Sequence, residues 1–122
     1  MTGPRRVLVV DDDDSIREMI ELALSSEGYE VLTAPDGAAA LALLPKMHPE
    51  LVLLDMKMPL MDGWEFARRY RQLPDPKPPI VVLTAAQDAA RRASEVGAAA
   101  YLAKPFAIEQ LLDLVHRYGS GS

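Results

Sequence analysis

The sequence predicts an α/β fold in which a parallel β-sheet is covered by helices on both faces. Short runs rich in β-branched residues and leucine alternate five times with helical patterns, and several of those runs are apolar throughout. Strands that are apolar throughout are typical of a parallel sheet buried on both sides. The chain has 122 residues, which is enough for one such domain with a single core.

The first strand and helix show the pattern most clearly. Residues 7–10 form a continuous apolar run, as expected of a buried strand. The next segment has apolar residues at the spacing of one helix face, namely Ile16, Met19, Ile20, Ala23 and Leu24. Ser15 and Glu18 would form a capping box at its start, although Asp14 could equally be the N-cap. Gly28 is the expected stop.

The alternation continues to the C-terminus. The later strands are predicted at residues 30–34, 51–54, 80–83 and 100–103, and the later helices at 37–46, 63–73, 88–96 and 108–118. The proline-rich segment 74–79 is predicted to be a loop, because proline cannot donate a backbone hydrogen bond. Residues 1–118 are therefore expected to form one domain. Residues 119–122 have the composition of a flexible tail, either a linker stub or, as we prefer, a cloning scar.

Composition excludes several functional classes. The net charge of −5 and the pI of about 4.9 argue against a surface that binds nucleic acid. The chain has no cysteine, which rules out disulfides, cysteine-based zinc sites and cysteine nucleophiles. No apolar run is long enough to span a bilayer, and the N-terminus does not resemble a signal peptide. We expect a cytoplasmic protein without membrane contact.

Polar side chains follow the predicted strands at the points where they end. Asp11 and Asp12 follow the first strand, Asp55 the third, Thr84 the fourth and Lys104 the fifth. The carboxyl ends of parallel strands meet at one edge of a sheet, and ligands bind there in α/β folds. The sequence therefore predicts a functional site that contains these residues.

The residue types at this edge suggest phosphoryl transfer to an aspartate. Clustered carboxylates need a cation to offset their repulsion, and an all-oxygen site suits Mg²⁺. A carboxylate such as Asp55 can act as a nucleophile toward phosphorus. Lys104 offers a positive charge and Thr84 a hydroxyl donor for the phosphoryl oxygens.

These residues follow the strands in the same order as in a known family. Over residues 5–118 the chain resembles the receiver domain of response regulators. The matching motifs are Val9-Val10-Asp11-Asp12, Leu53-Leu54-Asp55-Met56-Lys57-Met58-Pro59, Asp62-Gly63, Leu83-Thr84-Ala85 and Lys104-Pro105-Phe106. The resemblance implies a flavodoxin-like, doubly wound (βα)5 fold whose five-stranded parallel sheet has the order 2-1-3-4-5.

The resemblance also implies a role for each acidic residue. Asp55 corresponds to the phospho-acceptor, which takes its phosphoryl group from a histidine kinase or a phosphotransfer protein. Asp12 corresponds to a direct Mg²⁺ ligand and Asp11 to a ligand acting mainly through water. Asp55 itself and the backbone carbonyl of Lys57 would complete the protein ligands.

The remaining family positions belong to the switch. Thr84 corresponds to the switch hydroxyl, Tyr101 to the aromatic residue that rotates with it, and Lys104 to the phosphoryl-binding lysine. Lys104 and Pro105 correspond to the family's cis peptide. The implied output is a changed face of helix 4, strand 5 and helix 5 that binds a downstream protein. Such a domain is not an enzyme beyond its own phosphorylation and dephosphorylation.

Two other functional classes fit the sequence less well. An aspartate-nucleophile phosphatase of the haloacid dehalogenase type would need a second aspartate two residues after Asp55, where this chain has Lys57. A dinucleotide-binding module would need a glycine-rich turn after the first strand. Residues 11–14 are instead four aspartates, which would repel a pyrophosphate.

The output is less closely specified. Receivers joined to winged-helix DNA-binding domains usually carry acidic residues just before the switch aromatic, whereas this chain has alanines at 98–100. We therefore expect a stand-alone receiver, or one from a hybrid kinase, that is monomeric when unphosphorylated and does not bind DNA.

Several residues are given structural rather than functional interpretations. The arginine clusters at 68–71 and 91–92 are expected to be solvated helix faces, with a partner surface as the minority alternative. Trp64 is expected to lie partly in the core. His48 and His116 belong to no cluster and are expected at the surface.

Overall fold

The computed structural model describes residues 5–56, 61–74 and 77–119. Within this part of the chain, five strands form one parallel sheet of order 2-1-3-4-5, which confirms the predicted fold class. The strands are β1 (Arg6–Val10), β2 (Glu30–Ala34), β3 (Leu51–Asp55), β4 (Ile80–Ala85) and β5 (Ala100–Lys104). The helices are α1 (Asp14–Ser25), α2 (Gly37–Met47), α3 (Gly63–Tyr70), α4 (Ala89–Val96) and α5 (Ile108–Tyr118).

The sheet separates two hydrophobic cores. Successive side chains of a strand point to opposite faces, so Leu8 and Val10 enter one core while Val7 and Val9 enter the other. The first core is completed by α2, α3 and α4, and the second by α1 and α5. Every residue of β3 is buried. The central strands are apolar throughout because helices cover both of their faces.

The start of α1 differs from the predicted capping. Asp13 is the N-cap, and its side chain accepts a hydrogen bond from the backbone N–H of Ile16 at 3.1 Å. Neither the Ser15–Glu18 capping box nor an Asp14 N-cap forms, because Asp13 already satisfies the free N–H group of the first turn. Asp14 is instead the first residue of the helix.

Other element boundaries shift by a few residues. Helix α1 ends at Ser25, ahead of the expected stop at Gly28, and α3 ends at Tyr70 rather than at residue 73. The strands β3, β4 and β5 extend further toward the predicted site than the sequence indicated. Gly97 ends α4 with φ 69°, a left-handed backbone conformation that favours glycine.

Some side chains also depart from their predicted environment. Met19 lies on the predicted apolar stripe of α1 but is exposed. His48 and His116 are both exposed, as expected, and His48 ends α2 in a left-handed conformation with φ 49°.

Over the described residues, the structure has no helix that is both long and apolar enough to cross a membrane. The predicted tail lies outside the described residues from position 120 onward.

Candidate functional site

The register of the parallel strands brings the predicted site residues to one edge of the sheet. Asp55, the last residue of β3, is paired with Leu83 of β4. Thr84 follows directly on β4, and Lys104 is the last residue of the neighbouring strand β5. Asp11 comes directly after β1. This strand pairs with β3 along the edge of β3 opposite to β4. The predicted convergence is therefore observed.

Three carboxylates form the acidic part of the site. Asp11, Asp12 and Asp55 each present an oxygen atom within 4.8 Å of the other two. Asp11 is 0% exposed and Asp55 is 6% exposed, whereas Asp12 faces solvent. Three oxygen donors with three negative charges, open to water on one side, fit a hard divalent cation. The predicted fourth ligand, the carbonyl of Lys57, lies outside the described residues.

Lys104 lies between the two buried carboxylates. Its Nζ donates to Asp11 Oδ2 at 2.9 Å and lies 3.5 Å from Asp55 Oδ1. Burial by itself would lower the pKa of Lys104, but the hydrogen bond to Asp11 and the charges of Asp11 and Asp55 outweigh it and raise the pKa. The side chain is therefore a cation placed beside the candidate nucleophile.

The loop after β1 is fixed by contacts that the sequence analysis missed. Asp11 Oδ1 accepts a hydrogen bond from the backbone N–H of Asp13 at 2.9 Å. Arg17, one turn into α1, donates from Nη1 to the carbonyl oxygen of Asp11 at 2.7 Å. The i, i+3 spacing of Asp14 and Arg17 is a sequence signal for their ion pair, but it does not predict the bond from Arg17 to the carbonyl oxygen of Asp11.

Gly63 is required where α3 begins beside the acceptor loop. Its backbone N–H donates to the carbonyl oxygen of Met56 at 3.0 Å. A Cβ atom at position 63 would lie only 2.9 Å from the Cα atom of Met56, a backbone atom that cannot easily move. The glycine therefore allows α3 to approach the residue that directly follows Asp55.

Thr84 is bonded to an arginine that was expected in solvent. Thr84 is 3% exposed, and its hydroxyl oxygen accepts a hydrogen bond from Arg92 Nη1 at 2.9 Å. Arg92 is itself only 7% exposed, so its interpretation as part of a solvated helix face is wrong. It shares the inner face of α4 with Ala89, Ala93 and Val96, and this i, i+3, i+4, i+7 spacing was the missed signal.

Trp64 and Tyr101 lie at the surface around this contact. Trp64 is 38% exposed and belongs to neither hydrophobic core. Its ring packs against the Arg92 guanidinium, 5.2 Å from ring centroid to Cζ. Tyr101 is 47% exposed on β5. The peptide bond between Lys104 and Pro105 is cis, as the resemblance implied.

Comparison with known proteins gives a consistent family assignment. The family model described as "Response regulator receiver domain" matches residues 7–116. "Probable transcriptional regulator ycf27" of Galdieria sulphuraria is 46% identical over 108 residues, which cover 87% of this chain and 42% of that protein. "Response regulator MprA" of Mycobacterium sp. (strain KMS) is 46% identical over 111 residues, which cover 89% of this chain and 48% of that protein.

Solved structures agree with this assignment. The Vibrio cholerae chemotaxis protein CheY4 has a TM-score of 0.84 and 36% identity, with 95% of this chain and 99% of that chain covered. A putative response regulator from Chloroflexus aurantiacus has a TM-score of 0.88 and 39% identity, with 97% and 99% covered.

The chain belongs to the response regulator receiver domain family. It is a receiver domain of two-component signalling, and this assignment favours the receiver over the phosphatase that was weighed as an alternative. The chain spans less than half the length of the curated relatives named above.

Proposed function

We propose that Asp55 accepts a phosphoryl group from the phosphohistidine of a histidine kinase or phosphotransfer protein, in a site that binds Mg²⁺ through Asp11, Asp12 and Asp55. The observation that carries this proposal is the placement of a nearly buried carboxylate 3.5 Å from Lys104 Nζ and within 4.8 Å of two further carboxylates. Lys104 lies on one side of Asp55, and a bound Mg²⁺ on the other would further favour the approach of an anionic phosphoryl group.

The reaction needs one bond to form and one to break. An Asp55 carboxylate oxygen forms a bond to phosphorus, the bond from phosphorus to the donor nitrogen breaks, and the donor leaves with that electron pair. The product is an acyl phosphate on Asp55. When bound, Mg²⁺ would supply the positive charge that offsets repulsion between the carboxylates and the phosphoryl oxygens.

Lys104 and Thr84 would hold the phosphoryl oxygens after transfer. Lys104 Nζ already lies beside Asp55 and donates a charge-assisted hydrogen bond from there. The hydroxyl group of Thr84 would be the second donor. Movement of Thr84 and Tyr101 would then change the α4–β5–α5 face, which is a population shift driven by contacts made only in the phosphorylated state. The domain would catalyse only its own phosphorylation and dephosphorylation.

The output proposed for this domain is protein–protein contact in the cytoplasm. The net charge of −5 does not favour DNA binding by the domain itself, although two relatives are named as a transcriptional regulator and a response regulator. We expect a monomer before phosphorylation. Light scattering that gives a dimer mass, or a DNA fragment retarded at physiological salt, would contradict this part of the proposal.

The test of the acceptor is phosphorylation by a small donor. Incubation with acetyl phosphate and Mg²⁺ should add one acid-labile phosphoryl group, seen by intact mass. Asp55→Asn should abolish the addition, because the amide is not a nucleophile. Asp113→Asn is the matched control, since Asp113 is an exposed residue of α5 outside the site. Labelling of Asp55→Asn to the wild-type level would overturn the assignment.

A further inference from the structure

Arg92 is a buried cation attached to the proposed switch hydroxyl. Its Nη1 donates to Thr84 Oγ1 at 2.9 Å, and its Nη2 donates to Asp88 Oδ2 at 3.2 Å. Asp88 also binds Arg91, whose side chain is mostly exposed. Removing a guanidinium from water costs free energy unless its donors are paired. The position of Arg92 therefore depends on these particular contacts.

The pairing of Arg92 is incomplete. Its Nε is buried and has no hydrogen-bond acceptor within the described part of the chain. The Trp64 ring covers the guanidinium, and Trp64 Nε1 donates to Glu95 Oε1 at 2.9 Å, which ties α3 to α4 over the arginine. An arginine with one unsatisfied buried donor is held less firmly than a fully paired one, so its contacts can rearrange at a moderate cost.

The bond to Arg92 fixes the direction of the Thr84 side chain. A guanidinium can only donate, so the Thr84 oxygen must accept and must point toward α4. A threonine side chain occupies a small set of staggered rotamers, and the rotamer that reaches Arg92 excludes the others. In the same structure Tyr101, the other proposed switch residue, is exposed on β5.

We infer that Arg92 is a positioning residue that holds Thr84 in the unphosphorylated arrangement, and that the Arg92–Thr84 bond is released when Thr84 turns toward the phosphoryl group. This role depends on the phosphorylation of Asp55 proposed above. A bond made in only one of two states stabilises that state, so its removal shifts the population toward the other. Loss of the Arg92 bond should therefore make phosphorylation faster.

The experiment compares two neighbouring arginines. Arg92→Met keeps an unbranched side chain beneath Trp64 but removes both hydrogen bonds. Arg91→Met is the matched control, because Arg91 binds Asp88 at 2.8 Å and, within the described part of the chain, makes no hydrogen bond to Thr84. The rate of phosphoryl addition from acetyl phosphate in Mg²⁺ is followed by intact mass. We expect Arg92→Met to react roughly three to ten times faster than wild type, where tenfold corresponds to about 1.4 kcal/mol, and Arg91→Met to stay within about twofold.

Two further measurements separate positioning from a general effect on packing. In a Thr84→Ala background, Arg92→Met should no longer change the rate, because the bond that it removes is already absent. Trp64 is the chain's one tryptophan, so its fluorescence reports on the neighbouring guanidinium. The fluorescence should change on phosphorylation of wild type and should not change on phosphorylation of Arg92→Met.

The outcomes distinguish this inference from the proposed function. If wild type takes up no phosphoryl group, the proposed function fails. If wild type is phosphorylated and Arg92→Met reacts at the same rate or more slowly, the role of Arg92 is wrong. Circular dichroism checks that the variant is folded. If it is not, Arg92→Lys replaces it, and a rate increase smaller than threefold but larger than that of Arg91→Met is expected.

Discussion

The two ends of the parallel sheet differ in how their polar groups are paired. At the carboxyl end, Asp11 and Asp55 are buried within 4.8 Å of Asp12, with Lys104 as a nearby cation. At the amino end, the Tyr70 hydroxyl donates to the carbonyl oxygen of Pro78 at 2.6 Å. At the amino end, this donor and acceptor satisfy each other. At the carboxyl end, three carboxylates of like charge lie close together.

The arginine at the amino end illustrates the same difference. Arg6 binds Glu30 at 2.9 Å through Nε and the carbonyl oxygen of Met47 at 2.8 Å through Nη1. The Glu30 carboxylate carries the opposite charge, and the Met47 carbonyl presents the negative end of its dipole to the guanidinium. The carboxyl end keeps three carboxylates close together although their charges repel. If Mg²⁺ binds there as proposed, its charge would offset this repulsion. Substitutions at the two ends should therefore respond differently to Mg²⁺.

The largest effect is expected for Lys104→Met without metal. The substitution leaves the buried Asp11 carboxylate without its partner, and it should lower the free energy of unfolding by about 2 kcal/mol, less than for a fully buried pair because Lys104 is partly exposed. Saturating Mg²⁺ should remove most of this difference. Chemical denaturation with and without Mg²⁺ measures both values.

Lys77→Met at the amino end is the matched control, since Lys77 Nζ donates to the carbonyl oxygen of Leu73 at 3.1 Å. Its effect should be smaller and independent of Mg²⁺. A Lys104→Met loss that persists unchanged in Mg²⁺ would mean that the cation does not bind beside Asp11.

A stabilising effect is expected for Asp12→Ala without metal. Two like charges within 4.8 Å repel by roughly 1 kcal/mol even in water, so removing the exposed member should raise the free energy of unfolding by about that amount. Mg²⁺ should stabilise this variant much less than wild type, because one ligand is missing. Thermal unfolding with and without Mg²⁺ measures the two effects.

Asp14→Ala serves as the comparison for Asp12→Ala, because Asp14 belongs to the first turn of α1 and forms an ion pair with Arg17. Its loss should be slightly destabilising. Destabilisation of the metal-free protein by Asp12→Ala would indicate that the carboxylates do not repel one another as described.

The smallest effect at neutral pH is expected for Tyr70→Phe. The variant loses the hydrogen bond to Pro78 but keeps the buried ring, so the free energy of unfolding should fall by roughly 0.5 to 1 kcal/mol. Mg²⁺ should not change this difference, since Tyr70 lies at the opposite end of the sheet from the carboxylates. If the stability difference between Tyr70→Phe and wild type depended on Mg²⁺, the two ends of the sheet would not respond to Mg²⁺ independently.

Tyr70 should also influence stability at alkaline pH. Burial raises the pKa of Tyr70 above its ordinary value of 10.0, so the folded state keeps the proton after the unfolded state has lost it. Its contribution to stability is complete below about pH 10 and decreases as the pH rises further. The alkaline loss should be smaller in Tyr70→Phe, but some should remain because burial also raises the pKa of Tyr29. Tyr101→Phe, at an exposed position, is the control.

Much of the fold and of the site could be predicted from the sequence. Strand and helix periodicity both depend on neighbouring residues, so the order of the elements and the bounds of α5 at residues 108–118 were predicted correctly. Asp11, Asp55, Thr84 and Lys104 were placed together because the ends of parallel strands must meet. The start of α1 was less well predicted, because several adjacent aspartates can each act as an N-cap and only Asp13 does so.

The sequence by itself determined which residues stand at the carboxyl ends of the strands, because local residue patterns show where each strand begins and ends. Since the strands are parallel, their carboxyl ends meet at one edge of the sheet. Only the tertiary structure decided which side chains pair across elements. Arg91 and Arg92 are identical neighbours in sequence, yet one is exposed and the other is buried against Thr84 and Trp64. Adjacent residues on a helix point about 100° apart, and helical spacing places Arg92 on the same face as the buried Ala89, Ala93 and Val96. Which groups that face meets depends on how α4 packs against other elements, because Thr84 belongs to β4 and Trp64 to α3.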